Sequence, residues 1–389
     1  MADTTRRAIE ILETLVGFDT TSHLSNLPII DFISAYLAEH GVASTLVPAD
    51  DEPKASLYAS IGYSGPGGPG GVALSAHTDV VPVAGQDWST DPFKLVEKDG
   101  KLYGRGACDM KGFLAATLAL VPDYVARDLS QPIHLAYSYD EEVGCTGVVP
   151  MAGRLGLDLP RPDIIIVGEP TQMRPVDAHK SIHAFHTTVT GLEAHSSVLE
   201  NGVNAIVYGT RFIDILTRLN QRLKREGDAS GRFNPGWSTV HVGEIKGGTA
   251  LNIVPKTCLI HWEIRGLPDE DVPALVAGIK DSVARELIPE MQSVAPNTGI
   301  QTQPDISIHP LRPEPGSPAE ILVKRLTRSN DVEAVSYGTE AGVFQACGIP
   351  TMVCGPGSIE QAHKPDEWLA VSQMEKCVNF LTRLGDELA

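Results

Sequence analysis

Apolar and polar positions along this chain alternate between a helical and a strand period. Ala8, Ile9, Leu12, Leu15 and Val16 stand at helical spacing, and a second helix is predicted over 28–41, with proline in its first turn and glycine just past its end. Residues 42–47 and 56–61 read as strands, and short apolar runs at 72–76, 133–139, 163–167 and 351–354 read as buried strands. The run at 113–120 reads as a helix. Beyond residue 180 the order changes to strand (181–190), helix (Val203, Ile206, Val207, Ile213, Leu216, Leu219, Leu223), strands near 237–245 and 257–264, helix near 272–287 and strand near 300–308. That order is a ferredoxin-like unit. The chain returns through the proline-rich 310–318 and helices near 319–328 and 371–388. The glycine- and proline-rich run from Gly62 to Gly71 reads as a turn, because it lacks the Gly-Lys-Ser/Thr ending of a phosphate loop and opens no helix.

The residues at the ends of the buried strands are chemically uniform. The run at 72–76 delivers His77-Thr78-Asp79, 133–139 delivers Asp140-Glu141-Glu142, 163–167 delivers Gly168-Glu169, and 351–354 leads through a Gly-Pro-Gly turn to His363. Asp109 sits just before the helical run at 113–120. Three adjacent carboxylates repel one another, so a positive group sits among them or water surrounds them. A solvated loop is the plainer reading of one such run. Its recurrence after several strands argues for convergence, because ligands in open α/β sheets bind outside the carboxyl ends of the strands. Two histidines and several carboxylates, with no cysteine pair, suit zinc, cobalt or manganese. Five ligands, His77, Asp109, Glu142, Glu169 and His363, exceed the three of a single catalytic zinc and fit two ions with one bridging carboxylate. Asp79 suits the carboxylate that orients a ligating imidazole. Glu141 is left over as general base on a shared water.

Composition narrows the partners. With 389 residues the chain has material for two domains, and its net charge of −18 argues against nucleic acid or an anionic membrane surface. No apolar run approaches the ~20 residues of a bilayer span, and no signal-peptide core follows the N-terminus, so a cytoplasmic location is expected. Six cysteines without close pairing fit reduced thiols. Cys108 and Cys145 adjoin the acids; either could touch metal, and packing is the plainer role.

These segments together make a resemblance. Ser-Ala-His77-Thr-Asp79-Val-Val-Pro, Gly-Arg-Gly-Ala-Cys-Asp109-Met-Lys-Gly, Asp-Glu141-Glu142-Val-Gly, Gly-Glu169-Pro-Thr and the late His363 resemble the di-zinc aminoacylase and carboxypeptidase family over nearly the whole chain. The resemblance implies an α/β fold, a mixed-sheet zinc-peptidase-like catalytic domain (1–180 and 309–389) with an inserted ferredoxin-like α+β lid and dimerisation domain (181–308). It makes Asp109 the bridging ligand of two zinc ions, His77 and Glu169 the ligands of one, Glu142 and His363 those of the other, and Glu141 the base. Gly191-Leu-Glu-Ala-His195-Ser resembles the lid segment whose histidine donates to the oxyanion across a homodimer.

The implied reaction is hydrolysis of the amide of a small N-acyl amino acid. Asn252 and Arg265 resemble lid residues that contact substrate, Arg265 gripping an α-carboxylate; a turn residue and an ion pair with Glu263 or Asp269 are the plainer roles. Ser336-Tyr-Gly-Thr339-Glu340-Ala and the 310–318 segment resemble the branch that deacetylates N-acetylornithine, with Glu340 selecting a side-chain ammonium or, more plainly, complementing a helix N-terminus. A desuccinylase, another deacylase or a carboxypeptidase of the same family is the alternative, and a metal-free scaffold protein the non-enzymatic one. The histidines at 23, 40, 134, 179, 183, 186, 241, 261 and 309 read as surface or hydrogen-bonded packing residues.

Overall fold

Two units emerge from a single chain that leaves the first, builds the second, and returns. The computed structural model describes residues 2–63, 65 and 70–389. Met1–Ala178, Leu311–Glu333 and Thr339–Ala389 form the first unit, and His179–Pro310 with Ala334–Gly338 form the second.

The first unit opens with helices α1 (Ala2–Val16) and α2 (Leu27–Glu39). Ala8, Leu12, Leu15 and Val16 are fully buried, so the helical stripe of α1 is its inward face. Strands β1 (Ser44–Pro48), β2 (Ala55–Ile61) and β3 (Val72–His77) follow, then the short β4 (Val96–Lys98) and β5 (Lys101–Tyr103). Helices α3 (Lys111–Ala119) and α4 (Val121–Val125), strand β6 (Ile133–Ser138), helix α5 (Val148–Arg154) and strands β7 (Ile164–Pro170) and β8 (Val176–His179) complete this pass. Part of the expected 62–71 turn, residues 64 and 66–69, lies outside the described residues.

In the second unit, β9 (Ser181–Thr190), α6 (Ala205–Glu226), β10 (Thr239–Gly247), β11 (Thr257–Gly266), α7 (Val272–Glu286), α8 (Ile288–Val294) and β12 (Gly299–Ile308) run in order. The sheet order β10-β11-β9-β12 is antiparallel throughout, the ferredoxin-like arrangement. Phe185, Phe212, Ile260, Trp262 and Ile264 pack between this sheet and its helices. Asn204 caps α6 by accepting the N–H groups of Ile206 and Val207.

On its return the chain adds α9 (Pro318–Thr327), β13 (Glu333–Val335), α10 (Ala341–Ala346), β14 (Thr351–Gly355), β15 (Trp368–Ala370) and α11 (Val371–Glu387). The large sheet has the order β1-β2-β6-β3-β7-β14-β8-β13, and its centre, β6-β3-β7-β14, is parallel. Every residue of β3, β6 and β14 is buried, as expected for parallel strands covered on both faces. These four strands therefore end along one edge. The three-stranded sheet β15-β5-β4 was not foreseen, since three-residue strands show no periodicity. Strand β7 runs on through Glu169 to Pro170, because Gly355 of β14 pairs with Pro170.

Candidate metal centre

The common edge of the parallel strands is where acids and imidazoles meet. His77 is the last residue of β3, Glu169 lies near the end of β7, and Asp140, Glu141 and Glu142 follow β6. Asp109 precedes α3, and His363, in left-handed backbone with φ 61°, follows β14.

Asp109 stands at the centre of the group. Its Oδ1 is 3.2 Å from His77 Nε2 and its Oδ2 is 3.3 Å from His363 Nε2, so each oxygen faces a different imidazole. Glu169 Oε1 lies 3.7 Å from His77 Nε2, and Glu142 Oε2 lies 3.0 Å from His363 Nε2. These contacts set Glu169 beside His77 and Glu142 beside His363, and Glu142 also offers an oxygen within 4.8 Å of donor atoms of His77 and Asp109. Glu141 also has an oxygen within 4.8 Å of donor atoms of His77 and Glu169, so position alone leaves it free to be ligand or base. Cys145 Sγ donates to Glu141 Oε1 at 3.5 Å, and Cys108 Sγ turns instead to the Ser358 carbonyl.

Electrostatics test whether this set suits a cation. Burial, reinforced by Asp109, pushes the Glu142 carboxyl up to about 7 against the pull of His363. Burial likewise pushes Glu169 and Glu141 well above the usual carboxylate range, and the neighbouring acids add to it. Burial opposes charge on Asp109 too, but the two imidazoles hold its carboxyl below the ordinary value. Hydrogen bonds to Asp109 and Glu142 raise His363 to about 10. Glu169 Oε1 is buried and has no hydrogen-bond partner. An orphaned oxygen beside raised carboxyls is a site short of positive charge, and nitrogen and carboxylate donors fit divalent zinc-type ions there.

Neighbouring side chains fix the donors. Asp79 stands on the Nδ1 side of His77, its main-chain oxygen 2.9 Å and its carboxylate Oδ1 3.5 Å from that nitrogen. The Asp79 carboxylate also accepts the N–H groups of Glu141 (3.2 Å) and Glu142 (3.3 Å) and the Ser22 hydroxyl (2.8 Å). Buried Lys54 supplies the positive group needed by the acidic run, 2.9 Å from both oxygens of Asp140, whose φ is 55°.

Sequence reasoning missed Glu367 and Arg105. Glu367 accepts the N–H groups of Gly106, Cys108 and Asp109 and pairs with Arg105 Nη1 at 2.7 Å, pinning the loop that carries Asp109. Their separation by 262 residues hid the pairing. The only available signal was a charged residue inside each of two motifs, Gly-Arg-Gly and Pro-Asp-Glu-Trp.

Glu340, expected to face substrate, is 1% exposed and accepts the hydroxyls of Ser75 in β3 (3.1 Å) and Ser138 in β6; burial raises its carboxyl to about 7. Thr339, fully buried, accepts the Ala341 N–H at the start of α10. In the second unit His195 is exposed, its Nδ1 2.7 Å from Ser197 Oγ, and the Asn252 carbonyl accepts the Ser196 N–H. Arg265 pairs with Glu263 at 2.9 Å, the plainer of its two foreseen uses.

A parallel-centred sheet that gathers imidazoles and carboxylates at its strand ends defines a metal-binding hydrolase. The family model described as peptidase family M20/M25/M40 matches residues 73–387. The acetylornithine deacetylase of Myxococcus xanthus is 35% identical over 392 residues, covering 98% of this chain and 98% of that one. Among solved structures, aminopeptidase PepT from Bacillus cereus superposes with a TM-score of 0.75 at 19% identity, covering 99% of this chain and 98% of that one. A Bacillus subtilis protein described as a dinuclear metal binding peptidase gives 0.66 at 15% identity, covering 100% and 99%. The chain belongs to peptidase family M20/M25/M40, and it is an enzyme.

Glu141 and Glu142 are distinguished by metal content. Glu141→Ala is expected to retain its metal while losing nearly all turnover, and Glu142→Ala to lose metal as well. Atomic absorption on both purified variants checks this; an equal fall in metal would show that the two do not divide as base and ligand.

Proposed function

We propose that this enzyme hydrolyses the amide of an N-acyl amino acid, with N-acetylornithine as substrate, in a reducing, cytoplasmic setting. The observation that carries the reaction type is Asp109, with one carboxylate oxygen toward each of two histidines and Glu141 beside them. His77, Asp109, Glu142, Glu169 and His363 would hold two divalent ions, zinc being the first choice for this donor set and cobalt or manganese possible. Bound there, such ions supply positive charge that makes a water more acidic and an amide carbonyl more electrophilic.

The chain's own groups do the rest. Glu141 takes a proton from the attacking water and passes it to the leaving amine. Asp79 holds the backbone of Glu141 and Glu142, so both carboxylates stay directed at the centre. Arg265 grips the α-carboxylate, which requires it to exchange Glu263 for substrate, and Asn252 is a further substrate contact. Thr339 sets the turn that presents Glu340. No cation pairs with Glu340 among the described residues, only the two serine hydroxyls, and an ammonium group on the substrate would favour the ionised form of this buried carboxyl. The 35% identity to a protein named acetylornithine deacetylase supports the same choice. No helix among the described residues is long and apolar enough to cross a membrane.

Pairing of two copies through the second unit would let His195, exposed on its loop, donate to the oxyanion in the partner's site.

Turnover of N-acetylornithine, N-succinyl-diaminopimelate and a glutamate-terminated dipeptide tests the substrate. The highest kcat/KM is expected for N-acetylornithine, and its ratio to N-acetylmethionine should fall in Glu340→Gln; an unchanged ratio rejects the role of Glu340. Mixing His195→Ala with Glu141→Ala is expected to restore activity in hybrid dimers. Hybrids verified by mass that stay inactive would place His195 in its own subunit's site.

A further inference from the structure

The face of the second unit's sheet that carries no helices bears a row of ligand-type side chains the reaction does not use. Register sets Glu244 of β10 opposite His261 of β11, and His261 opposite His186 of β9. Residues directly opposite on neighbouring strands project to the same face, with Cβ atoms about 4.5–5.5 Å apart. Ile260 and Trp262, on either side of His261, are buried under the helices, so these three side chains lie on the open face. The two imidazole rings stand 6.1 Å apart, centre to centre, with planes at 37°. Glu244 Oε2 is 3.9 Å from His261 Nε2, while its Oε1 pairs with Lys246 at 2.6 Å.

A second carboxylate orients the pair. Strand β12 bulges between Pro304 and Ile306, and the extra residue, Asp305, brings Oδ1 to 2.6 Å from His186 Nδ1. In a neutral ring that bond places the proton on Nδ1 and leaves Nε2 as a free lone pair. A carboxylate behind one ring nitrogen and an open lone pair on the other is the usual setting of a metal-ligating histidine.

We propose that His186, His261 and Glu244 form a separate site for a divalent transition-metal ion of the zinc, nickel or copper type. Zn–N bonds of ~2.0–2.1 Å put the ring centres of two imidazoles on one ion roughly 5–6 Å apart. The observed rings, 6.1 Å apart, lie just beyond that range, so binding would draw the two side chains together. Two nitrogen donors of three disfavour calcium and magnesium, which take oxygen ligands. His261 and Glu244 are 46% and 45% exposed, so an ion has access without opening the fold. Bound there, it ties β9, β10 and β11 together across their open face.

The test compares zinc bound per chain, after dialysis against excess zinc, in wild type and in the His186→Ala/His261→Ala double variant. One zinc fewer per chain is expected in the variant, with amide hydrolysis unchanged; the difference does not depend on how many ions the Asp109 centre holds. Ring ¹⁵N resonances of both histidines should move when zinc is added to wild type, and Asp305→Asn should weaken this site by about 10- to 100-fold. Equal zinc counts in the two proteins, or ring resonances that do not move, would overturn the assignment.

Discussion

Mutual repulsion among buried carboxylates is the constraint that the catalytic unit is built to withstand. Asp109, Glu141, Glu142 and Glu169 crowd one end of a sheet, and two imidazoles do not balance them. Four parallel strands bring the groups there, since parallel strands end on a common edge. Left to repel, the loops that carry these acids would splay. Three ties oppose that: Asp79 to the Glu141 and Glu142 backbone, Lys54 to Asp140, and Glu367 with Arg105 to the loop of Asp109. Arg105 and Glu367 are each 1% exposed, and breaking a pair that deeply buried costs about 3–5 kcal/mol.

The second unit follows a different logic. One face of its sheet is closed by helices over Phe185, Phe212 and Trp262, and the other carries histidines, acids and Arg265. Its stability comes from that apolar layer, which leaves the open face free to vary in chemistry. Local features agree with the global fold: Asn204 and Asp271 cap the two main helices, and the β12 bulge supplies Asp305 to His186.

Long periodic elements were legible in the sequence because their burial pattern keeps one period throughout. The stripe of α1 and the continuous apolar runs of β3 and β6 are of this kind, and so is the βαββαβ order of the second unit. His77, Glu142 and Glu169 were legible because each closely follows an apolar run, Asp109 because it stands just before one, and His363 only through the motif set as a whole. Contacts that cross the chain were not. Nothing local to Lys54 shows that it meets Asp140, and nothing in Pro-Asp-Glu-Trp shows that Glu367 holds Asp109. Two-residue spacing placed the Asp79 carboxylate near His77, but it could not show that the same carboxylate also accepts the Glu141 and Glu142 N–H groups. His186 and His261, which read singly as packing residues, acquire a shared setting only from strand register.

Discharge of the crowded acids by metal is the central requirement of this centre, and calorimetric titration of the metal-free protein with zinc measures it most directly. Burial raises Glu142 to about 7 and Glu141 and Glu169 well above the usual carboxylate range, and hydrogen bonds raise His363 to about 10, so these groups keep protons more readily than free ones. Binding of a cation is therefore expected to release protons. Repeating the titration in buffers of different ionisation enthalpy gives the number released. Two tightly bound ions are predicted at the Asp109 centre, lost together in Asp109→Ala, with net proton release falling as pH rises through this range. One ion or none, or binding without proton release, would contradict the requirement.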